Sequence, residues 1–286
     1  MVSNSKDLSG LSVLGCFAHP DDEGFGSGGT LAMLVDRGAQ VTLVCATNGD
    51  VGEISDPALA TPENLYQVRQ KELRDAMSVT GVQDVRFLDY RDSGMVGTSD
   101  NDHPDCLFQA QAERVAERLA EIMVEVQPDL VLTHDPTGGY GHPDHKKVYE
   151  STTLAFPDAV SALSSDNYSA GENPWGPRRL YYVCFPRSNF RKLWQQMIDL
   201  GIEPPFASEM ADSIGSPDEE VTTTLNVGAY VDIKRGSLNR HRTQMRMDGA
   251  FNQLPDEIMR EVMSTEYFTL ALPENAAKSD DLLAGL

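Results

Sequence analysis

Basic residues are scarce in this chain. Among 286 residues, 23 Lys and Arg stand against 44 Asp and Glu, a formal charge of −21. Nucleic acids and anionic membrane surfaces need a positive face, so this balance excludes both as expected partners. Cysteine is scarce too. Cys16, Cys45, Cys106 and Cys184 lie far apart and form no Cys-x-x-Cys pair. Cys16 and Cys45 fall inside apolar runs and read as small buried thiols rather than bridge partners. No stretch approaches the ~20 apolar residues of a membrane span, and the first residues lack the shape of a secretory signal. No internal repeat is visible. The expectation is a cytoplasmic protein that acts on a small molecule; a homo-oligomer is compatible with all of this.

What is present is strand–helix alternation. Leu11 to Ala18 is a short apolar run of the kind found in buried parallel strands. A helix follows over Ser27 to Arg37, then a strand over Gln40 to Ala46. Thr61-Pro62-Glu63 reads as the start of a helix ending at Gly81. A strand at Asp84 to Leu88, a helix at Gln109 to Gln127 and a strand at Asp129 to Thr133 complete the pattern. Such alternation predicts an α/β, Rossmann-like fold with a mostly parallel sheet and helices on both faces. Later elements are weaker: a strand over Leu180 to Phe185, a helix over Phe190 to Leu200, and a strand end and helix within Asn226 to Met247. Ser161 to Pro177 and Pro204 to Glu220 read as loops. We expect a single domain over 1–286, with a core over about 8–157, an elaborated part over about 158–275 and a frayed tail over 276–286.

Two polar clusters follow strands. His19-Pro20-Asp21-Asp22-Glu23 follows the first; His134 to His145, containing His142-Pro143-Asp144-His145, follows the fourth. In doubly wound sheets both would lie on the carboxyl edge, where ligands bind. His19, Asp22 and His145 supply N, O and N donors, the ligand number of a catalytic zinc site with one open position. Zn²⁺ is the expected cofactor, with Fe²⁺ or another divalent ion as alternatives, because two His and a carboxylate also make a facial triad. Asp21 is placed to act as general base. His142 as a cation, with Asp144 holding its other nitrogen, would stabilise an oxyanion or protonate a leaving amine, and Tyr140 would donate to the same oxyanion. Glu23 would secure the loop or the helix start, and His134 reads as a supporting residue. His103-Pro104-Asp105 follows no strand and reads as a surface turn. Gly24-Phe25-Gly26-Ser27-Gly28-Gly29 satisfies G-x-G-x-x-G, but three carboxylates ahead of it would repel a pyrophosphate.

Ala18 to Glu23 together with Gly138 to His145 resembles the LmbE/PIG-L de-N-acetylases. Thr47-x-Gly-x-x-Gly-Glu53, Arg69 and Arg91-Asp-Ser-Gly-Met-Val-Gly-Thr98 add to the resemblance. The last stretch is most similar to the branch that deacetylates N-acetylglucosaminyl-inositol in mycothiol biosynthesis. The resemblance covers the first ~155 residues, and the C-terminal third shows no convincing match. It implies a zinc-dependent hydrolase that removes acetate from an N-acetylglucosamine conjugate, with Arg69, Asp92 and Glu53 lining the sugar pocket. Two alternatives stand beside it: an amidase of a larger acyl or thiol-conjugate amide, and a non-catalytic sugar- or metal-binding module.

Overall fold

The computed structural model describes residues 7–162, 176–205, 213–246, 248–273, 279, 281–284 and 286. Strand β1 (Ser12–Phe17) is buried on both faces, as its apolar run predicts. It pairs in parallel with β2 (Gln40–Thr47) on one side and β4 (Leu130–His134) on the other. Outside these lie β3 (Asp84–Tyr90) and β5 (Arg179–Cys184), also parallel. Two antiparallel strands, β6 (Thr223–Asn226) and β7 (Thr265–Leu272), extend the edge and give the order β3-β2-β1-β4-β5-β7-β6. The parallel order reverses between β1 and β4, and a reversal opens a crevice at the strand ends.

The alternation of β1 divides the core. Val13 and Phe17 pack with Leu31 and Leu34 of α1 (Asp22–Asp36) and with Leu73 and Met77 of α2 (Leu65–Thr80). Leu14 and Cys16 pack on the other face with Val115, Leu119 and Met123 of α3 (Ala112–Val126) and with Val148 and Ala155 of α4 (Pro143–Ala162). Each fully buried Leu or Met contributes about 1.5–3 kcal/mol. A third cluster joins Met197 of α5 (Arg187–Asp199), Val231 and Leu238 of α6 (Val231–Leu238), and Met259 and Met263 of α8 (Asp256–Met263). The short α7 (Ala250–Gln253) precedes α8.

Several boundaries differ from the sequence reading. Helix α1 begins at Asp22, not Ser27, so the glycines lie inside it. They are there for contact. A Cβ on Gly26 would overlap Val183, and one on Gly29 would lie 2.6 Å from Val227 Cγ2. Gly26→Ala is therefore predicted to cost about 1–3 kcal/mol, measured as a lower midpoint in denaturant with an unchanged slope. Thr61 does not cap α2; it sits in a turn whose Asn64 side chain accepts its N–H at 2.7 Å, and the helix starts at Leu65. Helix α6 stops at Leu238, so Arg240 to Arg246 lie beyond it. The tail is not frayed throughout: Leu282 and Leu283 are buried in the first core cluster. Most of the expected loop at 161–177 and part of that at 204–220 fall outside the described residues. No helix among the described residues is long and apolar enough to cross a membrane, and all four cysteines are free and buried.

Candidate active site

The β1–β4 reversal carries the two polar clusters. His19 follows β1, Asp21 precedes α1, and Asp22 and Glu23 form the first turn of α1, where acids complement the helix dipole. His134 ends β4, and Pro143 opens α4, where its missing N–H has no intrahelical partner to lose. His142 and His145 thereby flank the start of that helix.

His19 Nδ1 lies 3.3 Å from Asp22 Oδ2 and 3.2 Å from His145 Nε2, while His145 Nε2 lies 3.2 Å from Asp22 Oδ1. A tetrahedral ion with bonds of about 2.0–2.1 Å separates its ligands by roughly 3.3 Å. The outer nitrogens are occupied: His145 Nδ1 faces the Gly138 carbonyl and His19 Nε2 faces Asp144 Oδ2, each at 3.2 Å. Imidazoles that donate outward in this way turn their lone pairs inward, as metal-ligating histidines do. Two lone pairs and a carboxylate at contact repel unless a cation lies between them. Without one, His19 takes a proton. Burial opposes this, but Asp92, Asp144 and Asp22 outweigh it and raise the His19 pKa well above its usual value.

Three overlapping sets of donors among the described residues could hold an ion: His19, His142 and His145; His19, Asp92, His142 and Asp144; and Asp22, His134 and His145. None of the three is the His19, Asp22 and His145 triad, and hydrogen bonding weighs against the last two of them. His134 Nε2 accepts the Ala18 N–H at 3.0 Å, so that lone pair is committed. Burial first, and His145 next, lower its pKa to about 4, in keeping with a neutral acceptor. Replacing His134 by Leu is predicted to leave bound metal unchanged and to cost about 1–3 kcal/mol for the orphaned N–H; metal analysis alongside thermal unfolding checks both. Asp144 accepts from the Ser93 N–H at 2.9 Å and from the Ser93 hydroxyl.

That last pair corrects an expectation. Asp144 does not brace His142 through its carboxylate, which is engaged by Ser93 and His19. Only its backbone N–H reaches His142 Nδ1, at 3.2 Å. His142 then carries its proton on Nε2. Burial, followed by His19 and His145, drives its pKa down to about 2, a direction that favours a neutral donor over the cation expected. Ser93, just past β3, lies inside the Arg91–Thr98 stretch that adds to the resemblance, but the motif alone does not show that its hydroxyl binds a carboxylate across the sheet edge.

Asp21 has φ 129°, a region that a side chain occupies only when its surroundings hold it. Its N–H donates to Glu23 Oε2 at 3.0 Å, and Arg69 Nη2 lies 3.2 Å from its carboxylate. Burial chiefly raises the Asp21 pKa to about 6, against the pull of Arg69. Arg69, expected at the sugar pocket, is buried and also donates to the carbonyls of Pro20 at 2.7 Å and Gly49 at 2.9 Å. A Cβ on Gly49, at φ 63°, would lie 2.5 Å from its Cζ. Asp92 is buried, 3.5 Å from His19 Nε2. Glu53 is exposed and lines a cavity of about 780 Å³ that also reaches Asp22, Tyr140 and His145. Burial pushes the Tyr140 pKa above its usual value, which keeps the phenol a donor. Phe185, Phe190, Leu193 and Phe251 line the same cavity. A second cavity of about 660 Å³, lined by Asp50, Asp89, Arg91 and Arg118, includes none of the clustered histidines. His103 is exposed on a turn, as expected.

The family model for PIG-L, GlcNAc-PI de-N-acetylase, matches residues 14–156. A 1D-myo-inositol 2-acetamido-2-deoxy-alpha-D-glucopyranoside deacetylase from Thermobifida fusca is 39% identical over 266 residues, covering 88% of this chain and 90% of its own. The chain belongs to the PIG-L family. In solved structures the PIG-L fold of this chain is matched by N,N'-diacetylchitobiose deacetylase from Pyrococcus horikoshii, with a TM-score of 0.59 and 22% identity over 91% of this chain and 83% of that one. It is matched also by 4-carboxy-2-hydroxymuconate hydratase from Pseudomonas putida, with a TM-score of 0.55 and 20% identity over 94% of this chain and 99% of that one. At such identities the likeness is one of fold. The PIG-L relationship runs further than the motifs suggested: a match over 88% of the chain extends into the C-terminal third, where none was expected.

Proposed function

We propose that this chain is a metal-dependent hydrolase that removes the N-acetyl group from an N-acetylglucosamine conjugate, with the inositol-linked amino sugar as its first candidate substrate. The observation that carries the reading is the convergence of His19 Nδ1, Asp22 and His145 Nε2 at 3.2–3.3 Å with both outer imidazole nitrogens occupied. In this scheme these three residues would hold a Zn²⁺ ion. Bound there, the ion supplies a Lewis acid that acidifies water to a pKa near 7.

The other residues divide the proton work. Asp21 takes the proton of the attacking water and later delivers it to the leaving amine. His142, through Nε2–H, and Tyr140, through its hydroxyl, donate to the acetamide oxygen as negative charge gathers on it. Asp144 holds His19 in its tautomer, and Arg69 keeps Asp21 in register. Water adds across the amide, so acetate and a free amine are the products. Free buried thiols are in keeping with a cytoplasmic enzyme.

The aromatic wall of the larger cavity favours one second reading, an amidase whose substrate carries an apolar group beyond the sugar. The test is release of acetate or acyl acid from inositol-linked N-acetylglucosamine, N-acetylated chitobiose and longer-chain or thiol-conjugate amides. A preference in kcat/KM of tenfold or more for the first supports the proposal; a preference for the last supports the amidase. A metal-loaded protein inert on all of them but able to bind sugar overturns both.

A further inference from the structure

Glu23 neither faces the ion site nor moves a proton in the scheme above, yet it is 1% exposed and both its oxygens are used. Oε2 accepts the Asp21 N–H at 3.0 Å, and Oε1 lies 2.9 Å from His241 Nε2. A carboxylate this deep is costly unless a donor compensates it. His241, wholly buried, supplies that donor. Burial resists protonation of His241, but Glu23 outweighs it and raises its pKa. Its Nδ1 makes no hydrogen bond, so its side chain has a single polar task.

The segment carrying His241 is anchored independently. Thr243 donates to Glu72 through its N–H at 2.9 Å and its hydroxyl at 2.6 Å. The Ser55 N–H and hydroxyl donate to the carbonyls of Thr243 and Arg242 at 2.8 and 2.7 Å. Gln244 Nε2 donates to the Glu53 carbonyl at 3.0 Å. A turn fixed on both sides thus directs one imidazole at Glu23. It lies beyond residues 14–156, the span of the family match.

What it secures is the peptide of Asp21, whose φ of 129° costs about 1–3 kcal/mol unless the surroundings impose it. We propose that His241 is a positioning residue: by pinning Glu23 it locks the strained Asp21 peptide and so aims the Asp21 carboxylate at the attacking water. Reactions of this kind lose about 100-fold from a 1 Å misplacement. The inference rests on the proposed role of Asp21 as base.

The experiment compares His241→Leu, which cannot donate, with His241→Gln, whose amide can, in zinc-loaded protein assayed by acetate release. His241→Leu should lower kcat about 10- to 100-fold, the range for a supporting partner, with KM and bound metal within twofold of the parent. His241→Gln should recover most of that loss. Should His241→Leu not fold, His241→Asn, polar but one bond too short to reach Glu23, is judged by the same criterion. A parental kcat in the non-donating variant, or equal losses in the Gln variant, overturns the inference. So does a fall in kcat that only tracks lost metal. Asp21→Asn run in parallel separates the two levels: if it stays active the base assignment fails, and if it is inactive while His241→Leu is not, only the positioning role fails.

Discussion

Asp21→Asn is expected to cut kcat about 1000-fold, within the 10²–10⁴ that a general base contributes, while the metal stays bound. Asparagine keeps the shape and can still meet Arg69, but it cannot accept a proton from water. KM should change little, because the loss belongs to the transition state rather than to binding. Stability should move the other way. The Asp21 carboxyl is raised from 3.8 to about 6, mainly by burial. A carboxyl raised on folding stabilises the folded state below its unfolded pKa, and that contribution is lost as pH climbs through about 6. In metal-stripped protein at pH 7–8, Asp21→Asn should therefore be more stable than the parent, by roughly 2–3 kcal/mol. Near pH 4 the two should melt alike. Thermal unfolding across that pH range in chelator checks the sign. Identical melting curves throughout would mean that Asp21 does not occupy the desolvated position described.

His19→Ala should have the larger effect on the ion itself. It removes one of three converging donors and strands Asp22 and Asp144, which both face His19 at 3.2–3.3 Å. Bound metal should fall to a small fraction of an equivalent, and acetate release should fall with it. His145→Ala should behave alike, since its Nε2 meets both Asp22 and His19. His134→Leu should not, which makes it the internal control. Metal quantified per chain in the three variants decides the ligand set. Retention of metal by His19→Ala with loss in His134→Leu would move the site to Asp22, His134 and His145.

The parallel half of the sheet was legible because a buried parallel strand is a continuous apolar run, as in Leu11 to Ala18, and because helical stretches alternate with such runs. The same logic put the His19 and His142 clusters on one edge. It failed where geometry depends on partners distant in sequence. The glycines of α1 look like a loop until Val183, Val227 and Leu238 are seen against them. Strand β7 is half-buried and antiparallel, without the continuous apolar run of β1. Pairing Asp144 with His142 followed from their nearness in sequence, whereas Ser93 and His19 reach the carboxylate from two other strand ends. His241 falls within Asn226 to Met247, a stretch that reads as a strand end and a helix, whereas α6 stops at Leu238. A signal was available: Glu23, buried beside two other acids, needed a partner, and the chain has six histidines.

The most direct measurement of the central claim is metal content and acetate release from one sample, before chelation, after it, and after Zn²⁺ is returned. About one ion per chain is expected, as a three-ligand catalytic site requires, with activity lost with the ion and restored with it. Undiminished acetate release from protein stripped of metal would contradict the claim.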